Sequence, residues 1–207
     1  MLKYLKITLL HCMPQHVLSR LMYLLTRIEF KPFKNLLIRL FIHTFHVDMS
    51  IAERENPEDY KSFNVFFTRK LKKDARKQII DDDFILSPVD GAISQIGYIN
   101  KYQLLQAKNK NYTLEQLLGG DTGLADIFLN GCFATLYLSP HDYHRIHMPV
   151  TGRLIKSIYV PGNLFPVNRI GVENVEQLFS RNERFISIFE TQLGLMAQIM
   201  IGAVLVG

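Results

Sequence analysis

Two hydrophobic rhythms divide the chain near residue 50. Val17, Leu18, Leu21, Met22, Leu25 and Ile28 recur at helical spacing, and Arg20 and Arg27 fall off that stripe. Such a stripe predicts an amphipathic helix. Pro14 and Pro32 sit where first-turn prolines begin helices, so residues 1–50 are read as two or three amphipathic helices. Beyond residue 50 the pattern changes to short runs rich in β-branched and aromatic residues: Phe84–Leu86, Ala92–Ile99, Phe133–Leu138, Leu154–Val160, Phe185–Phe189 and Met196–Val206. Turn signals separate them, among them Pro88-Val-Asp-Gly91, Pro161-Gly162 and Leu193-Gly194. One short helix is expected at Thr113–Leu118, where Thr113 and Gln116 match a capping box and Gly119-Gly120 can end the turn. The fold class is therefore α+β, with N-terminal helices followed by a predominantly antiparallel β core. The polar stretch Ser50–Lys61 is the one linker candidate. The expected division is 1–50, basic and helical, and 51–207, β-rich.

Charge sharpens that division. Residues 1–50 carry seven Lys or Arg (Lys3, Lys6, Arg20, Arg27, Lys31, Lys34, Arg39) against Glu29 and Asp48, which accounts for the whole net charge of +5. The remainder is balanced. Apolar runs in this region are five residues or fewer, far short of the ~18–20 needed to span a bilayer. No small-residue cleavage site follows a hydrophobic run, so a secretory signal does not fit. A basic amphipathic helix can instead lie in a membrane interface, where each cation near an anionic surface adds on the order of 1 kcal/mol. An ordinary helical layer over the core is the competing reading. Nucleic-acid binding is disfavoured, because the basic residues are interleaved with bulky apolar ones and the β-rich part is neutral. Cys12 and Cys132 form no CxxC or CxxH pattern, which points to neither a disulfide framework nor a zinc knuckle.

The chemistry concentrates in "YLSPHDYHRIHMP" (137–149), which places His141, His144 and His147 at intervals of three beside Asp142. This is not the i, i+4 pair that presents two imidazoles to zinc, and no HExxH occurs. Imidazole titrates near neutral pH, so general acid–base work is the alternative to a metal site or to simple backbone capping. Asp90, in the tight turn Ser87-Pro-Val-Asp-Gly91, is a candidate to orient one histidine, although an aspartate before glycine is commonly only a turn residue.

"FNVFFTRKLK" (63–72), "SPVDGAIS" (87–94), "YLSPHDYHRIHMP" (137–149), "VPGNLFPVN" (160–168) and "RNERF" (181–185), in this order, resemble bacterial phosphatidylserine decarboxylases, which are made as proenzymes. The likeness runs through the whole chain and includes the basic N-terminal helices. It implies a lyase that converts phosphatidylserine to phosphatidylethanolamine and carbon dioxide. It implies a pyruvoyl cofactor, made from a serine of the chain by self-cleavage at a Gly-Ser bond in a Leu-Gly-Ser-Thr type motif. It also implies that Asp90 and His147 form the charge-relay pair for cleavage and that His144 serves decarboxylation, with no role assigned to His141. By the same likeness the expected partners are an anionic membrane surface, the C-terminal α chain of the cleaved proenzyme and a second copy in a homodimer. The expected location is peripheral, on the cytoplasmic side of the bacterial inner membrane.

One departure matters. No serine in residues 1–207 is preceded by glycine, and the chain ends in the apolar run "IMIGAVLVG". The expectation is that the cleavage serine lies beyond Gly207, that the β core is incomplete at its C-terminal end, and that this chain alone is inactive. Two other classes stay open: a non-catalytic peripheral module binding anionic lipid, and a metal-dependent hydrolase using the histidine loop.

Overall fold

A computed structural model describes residues 14–76, 84–107 and 110–206; the expected helix-forming residues before Pro14, with His11 and Cys12, lie outside them. Pro14 precedes helix α1 (Gln15–Leu25), and Pro32 occupies the first turn of α2 (Lys31–Phe45), as first-turn prolines favour. α2 stops at His46, whose left-handed conformation (φ 54°) returns its N–H to the Ile42 carbonyl. A 3₁₀ turn (Pro57–Asp59) and helix α3 (Phe63–Phe67) follow. After them come strands β1 (Ala92–Tyr98), β2 (Gln103–Ala107) and β3 (Lys110–Thr113), and helices α4 (Leu114–Leu117) and α5 (Thr122–Ile127). The remaining elements are β4 (Cys132–Tyr137), β5 (Gly152–Val160), α6 (Arg169–Asn174), α7 (Leu178–Arg181), β6 (Arg184–Thr191) and β7 (Gly194–Ile201).

The chain divides into two compact units. One collects the described residues up to Leu21, Ile93–Thr135 and those from Gly152 onward; the other is Met22–Ala92 with Leu136–Thr151. In the first, β5, β6 and β7 form an antiparallel sheet, and β2 pairs antiparallel with β3. β1 pairs with β4. Ile99, Leu104, Tyr112, Leu118, Leu178, Ile186 and Ile188 form its core, each under a tenth exposed. The expected capping box is present: Thr113 Oγ1 accepts from Gln116 N–H at 3.1 Å, and the Gln116 side chain accepts from Thr113 N–H at 3.1 Å. Gly119 and Gly120 then take φ of 78° and 88° and end the turn.

The RNERF motif is built into the scaffold of this unit and ties to Phe165 of the 160–168 motif. Asn182 of RNERF is fully buried and donates to the carbonyls of Phe165 (2.8 Å) and Gly202 (2.9 Å), while its Oδ1 accepts from Phe165 N–H (3.1 Å). Arg184, 3% exposed, donates to the carbonyls of Gln116, Leu117, Ser180 and Asn182. A buried guanidinium needs acceptors for its rigid fork, and four carbonyls meet that need without a carboxylate.

The second unit packs α2 against α3 and the 3₁₀ turn. Ile38, Val47, Tyr60 and Phe66 are its buried centre, and Phe41 makes edge contacts with Phe63, Phe66 and Phe67 at centroid distances of 5.1, 6.0 and 5.9 Å. Such T-shaped geometry suits the ring quadrupoles.

Three sequence expectations need correction. Ser50–Lys61 is not a linker: Ala52 and Tyr60 are buried, Ala52 bridges to Leu71, and Tyr60 Oη donates to the Arg54 carbonyl at 2.7 Å. Phe84–Leu86 is not a strand; Phe84 and Ile85 are exposed, and Leu86 N–H alone reaches across to the Pro149 carbonyl at 3.1 Å. The run Met196–Val206 is not one strand, because β7 ends at Ile201, where Gly202 turns its N–H to the Glu183 carbonyl at 2.8 Å.

Candidate active site

The second unit gathers "FNVFFTRKLK", "SPVDG" and the histidine loop. Ser62 caps α3, its hydroxyl accepting from Val65 N–H. At the other end of that helix two arginines join segments more than seventy residues apart. Arg145 Nε donates to the Thr68 carbonyl at 2.8 Å, and Arg69 Nη2 donates to the His141 carbonyl at 3.1 Å. The histidine loop is thereby fixed through its backbone.

Inside the loop a local turn sets the direction of the chain. Asp142 Oδ2 accepts from both the N–H (2.6 Å) and the hydroxyl (2.8 Å) of Ser139, and Asp142 N–H returns to the Ser139 carbonyl at 3.0 Å. This is the side-chain-to-backbone bonding by which Asp and Ser displace regular structure. It supplies the bend that odd histidine spacing requires. His141 stays exposed beside Ser139, with Nδ1 at 3.0 Å from the hydroxyl.

His144 is half-buried, its ring centroid 4.1 Å from that of Phe67. Nδ1 lies 2.9 Å from the Asp142 carbonyl. A carbonyl only accepts, so Nδ1 carries the proton and Nε2 keeps the lone pair. Burial is the main cause that lowers the His144 pKa from its ordinary value, against the opposing pull of the Asp142 carbonyl. Near neutral pH the imidazole is an uncharged base whose Nε2 meets no hydrogen-bond partner among the described residues.

His147 is exposed, and its N–H donates to the Pro88 carbonyl at 2.8 Å, which lays the loop beside the turn that carries Asp90. That turn depends on Gly91: at φ 114°, a Cβ there would stand 2.3 Å from the Tyr137 carbonyl oxygen, so only glycine permits the approach. His147 Nε2 lies 3.0 Å from Tyr143 Oη, with the rings stacked at 5.5 Å. Burial raises the Tyr143 pKa, so the phenol keeps its proton. Asp90 accepts two hydrogen bonds from Arg76, from Nε at 3.0 Å and Nη2 at 2.6 Å, and this carboxylate raises the Arg76 pKa. The structure thus places Asp90 and His147 on adjoining segments, and His144 against the α3 helix. Among the described residues no group of three His, Cys, Asp or Glu is arranged to hold a metal ion.

A match to known proteins accompanies this geometry. The sequence model of the family described as phosphatidylserine decarboxylase covers residues 63–207, and a second, described as PSD, covers residues 5–46. The chain belongs to the phosphatidylserine decarboxylase family. It is 51% identical over 206 residues to a phosphatidylserine decarboxylase proenzyme of Alkalilimnicola ehrlichii, covering 100% of this chain and 72% of the relative. Proenzymes of the same description from Pseudoalteromonas translucida (50% identical, 97% of this chain and 70% of the relative) and Vibrio parahaemolyticus (48%, 98% and 71%) match likewise.

Sequence reasoning missed Arg76, Tyr143, Phe67 and the pair Arg69 and Arg145. Tyr143 and Arg145 sit inside the quoted histidine motif and Phe67 and Arg69 inside the 63–72 motif, so both were in view as motif letters. Nothing in the letters says which histidine Tyr143 meets or which carboxylate Arg76 holds.

Proposed function

We propose that this chain is the larger part of a lyase that removes carbon dioxide from phosphatidylserine to leave phosphatidylethanolamine, and that it matures by self-cleavage at a serine outside residues 1–207. The observation that carries the reading is the joining of the Asp90 turn to the histidine loop by the His147–Pro88 hydrogen bond, in a chain that matches proenzymes of this description along its whole length. Amino-acid decarboxylation needs an electron sink that ordinary side chains lack, and a pyruvoyl carbonyl would supply it. No serine here follows glycine, so the serine that becomes that carbonyl is assigned to polypeptide beyond this chain, and residues 1–207 alone are proposed to be inactive. The residues present fit such a group, because an uncharged imidazole whose Nε2 meets no partner among the described residues stands in the same loop as a second histidine, whose backbone is tied to the turn that carries Asp90.

The proposed roles follow from the atoms. A carboxylate offers about four lone-pair sites, and Arg76 engages two of those on Asp90, which leaves acceptor capacity for His147 Nδ1. With Nδ1 held so, His147 Nε2, which faces Tyr143 Oη in this structure, is the atom that would take the serine proton during cleavage once the serine displaces the phenol. His144 Nε2, on the other hand, is suited to receive a proton and return it at Cα once carbon dioxide has left. Exposed apolar residues on α1 and α2, with the basic surplus of residues 1–50, are proposed to hold the enzyme peripherally on anionic lipid at the cytoplasmic face of the inner membrane.

In a chain extended to the length of its relatives, His147→Ala and Asp90→Asn should leave the proenzyme uncut. His144→Ala should cut normally but release carbon dioxide at least about tenfold more slowly, and His141→Ala should do little. An uncut His144→Ala beside a normally cut His147→Ala would reverse the assignment.

A further inference from the structure

The β5–β6–β7 sheet of the first unit has two outer strands, and they are built differently. β5 carries Arg153 and Lys156 and is interrupted by a bulge between Leu154 and Lys156. Charges and bulges are how natural proteins blunt an edge that faces water. β7 has neither. Its sequence GLMAQIMI holds no charge and no proline, and it pairs with β6 over eight residues without a register shift. A flat apolar strand of this kind is an association hazard at an edge and an ordinary strand in a sheet interior.

The backbone shows which groups of β7 look outward. Gly202 N–H, one residue past the strand, donates to the Glu183 carbonyl on the β6 side. Antiparallel ladders alternate, so Met200, Gln198 and Met196 also address β6. Ile201, Ile199, Ala197 and Leu195 turn their backbone N–H and C=O groups to the open side, where no strand pairs with β7 among the described residues.

Directly after β7 the chain turns onto that open side. Ala203 and Val206 exchange both backbone hydrogen bonds, at 2.6 and 2.8 Å, around the two-residue turn Val204-Leu205. This is the closing pair of a hairpin, and by the same alternation Ala203 makes these bonds on the side away from β6. The turn is anchored from behind. The Gly202 carbonyl accepts from Asn182 Nδ2 at 2.9 Å, and Leu205 N–H donates to Ser19 Oγ of α1 at 3.1 Å. The second bond holds Leu205 at φ 71°, an uncommon conformation for a residue with a Cβ.

We propose that the open edge of β7 is the docking site for the polypeptide that follows Gly207, which returns as a fourth antiparallel strand and places β7 in the sheet interior. The proposal rests on the reading above that this chain is part of a longer one. The matched stretch is 72% of the Alkalilimnicola relative and 70% of the Pseudoalteromonas relative, so more than a quarter of each lies outside it, ample for such a strand. The hairpin also sets the register: the first, third, fifth and seventh residues after Gly207 face Ile201, Ile199, Ala197 and Leu195.

The test is residue-resolved amide hydrogen exchange by NMR on the 207-residue chain and on a chain extended to its relatives' length. In the extended chain the amides of Leu195, Ala197, Ile199 and Ile201 should exchange about 10²-fold or more slower than in the shorter one, while those of Met196, Gln198 and Met200 are protected in both. An amide–amide Overhauser contact should join Ile199 to the third residue after Gly207. Fast exchange at the four outward positions of the extended chain, or their pairing with another segment or a second copy, would overturn the proposal. So would equal protection of all seven amides in the 207-residue chain, because the edge would then be covered without the added strand. If the shorter chain does not fold, presence or absence of the Overhauser contact in the extended chain decides alone. An extended chain that cuts itself and releases carbon dioxide while the four amides stay unprotected overturns the strand alone. One that shows the contact but neither cuts nor releases carbon dioxide sinks the reaction and leaves the strand standing.

Discussion

The proposed attachment of residues 14–50 to anionic lipid rests first on their exposed cations. Of the five cations described there, Lys34 is 4% exposed and spends its ammonium on Asn35 Oδ1 (2.6 Å) and the Glu58 carbonyl (3.1 Å). Arg39 is ion-paired with Glu58. Arg20, Arg27 and Lys31 remain exposed and without a carboxylate partner among the described residues, though Arg27 also lies over the Tyr23 ring at 3.4 Å. At about 1 kcal/mol for each cation near an anionic surface, the three supply about 3 kcal/mol. Arg20→Gln/Arg27→Gln/Lys31→Gln should therefore lower the vesicle partition coefficient by roughly 10²-fold. The apolar contribution is separate: Val17, Leu21, Leu24, Phe30, Leu36 and Leu40 are all more than half exposed. Sedimentation with vesicles containing phosphatidylglycerol should show binding that falls steeply between low salt and about 0.5 M, where the screening length is well under 10 Å. The triple variant should behave at low salt as the wild type does at high salt. Equal binding of triple variant and wild type, or equal wild-type binding to neutral phosphatidylcholine, would refute the assignment of this face.

Other consequences concern stability. Asn182→Ala strips partners from Phe165 N–H, the Phe165 carbonyl and the Gly202 carbonyl, and should cost about 3 kcal/mol or more in urea unfolding; a loss under ~1 kcal/mol would show that the asparagine is not the tie between these segments. Gly91→Ala should cripple folding or processing, because its Cβ would meet the Tyr137 carbonyl oxygen at 2.3 Å, and an active, fully soluble variant would contradict the close approach. Burial holds the His144 pKa below its ordinary value of 6.5. As pH falls below that value the unfolded chain takes up the proton first, so stability declines with falling pH until the folded pKa is passed and then levels off. His144→Gln should flatten that part of the stability profile, and an unchanged slope would place the titration elsewhere.

How much of this could be read from the letters varies by residue. The prolines at 14 and 32, the Thr113 capping box and the Leu193-Gly194 turn act through local chemistry, and each marks its element as expected. The β2–β3 hairpin is not visible in the letters, because the run Lys108-Asn-Lys-Asn111 breaks the apolar pattern at its turn and its support comes from packing of Leu104 and Tyr112 and from Gln106, buried completely 66 to 72 residues from its partners. Phe84–Leu86 misleads for the converse reason: its apolar letters find no neighbouring strand among the described residues. At the site, the residue types of the histidine loop indicated acid–base chemistry, and the Ser139–Asp142 turn could have been inferred from its own residues. The proposed division of labour inside the loop comes from the family resemblance and not from the residue types. The geometry that fits it depends on Phe67, Pro88 and Arg76, each distant in sequence, and Arg69 reads as any basic residue until its burial and its bond to the His141 carbonyl are seen.

The most direct test of the central claim compares the 207-residue chain with one extended to its relatives' length, by intact mass and by carbon dioxide release from phosphatidylserine. The account predicts full uncut mass and no release for the shorter chain. For the longer it predicts two polypeptides, the smaller carrying a carbonyl that borohydride traps in the presence of an amine, together with release of carbon dioxide. Decarboxylation by the 207-residue chain alone, or by an extended chain that remains uncut, would contradict it.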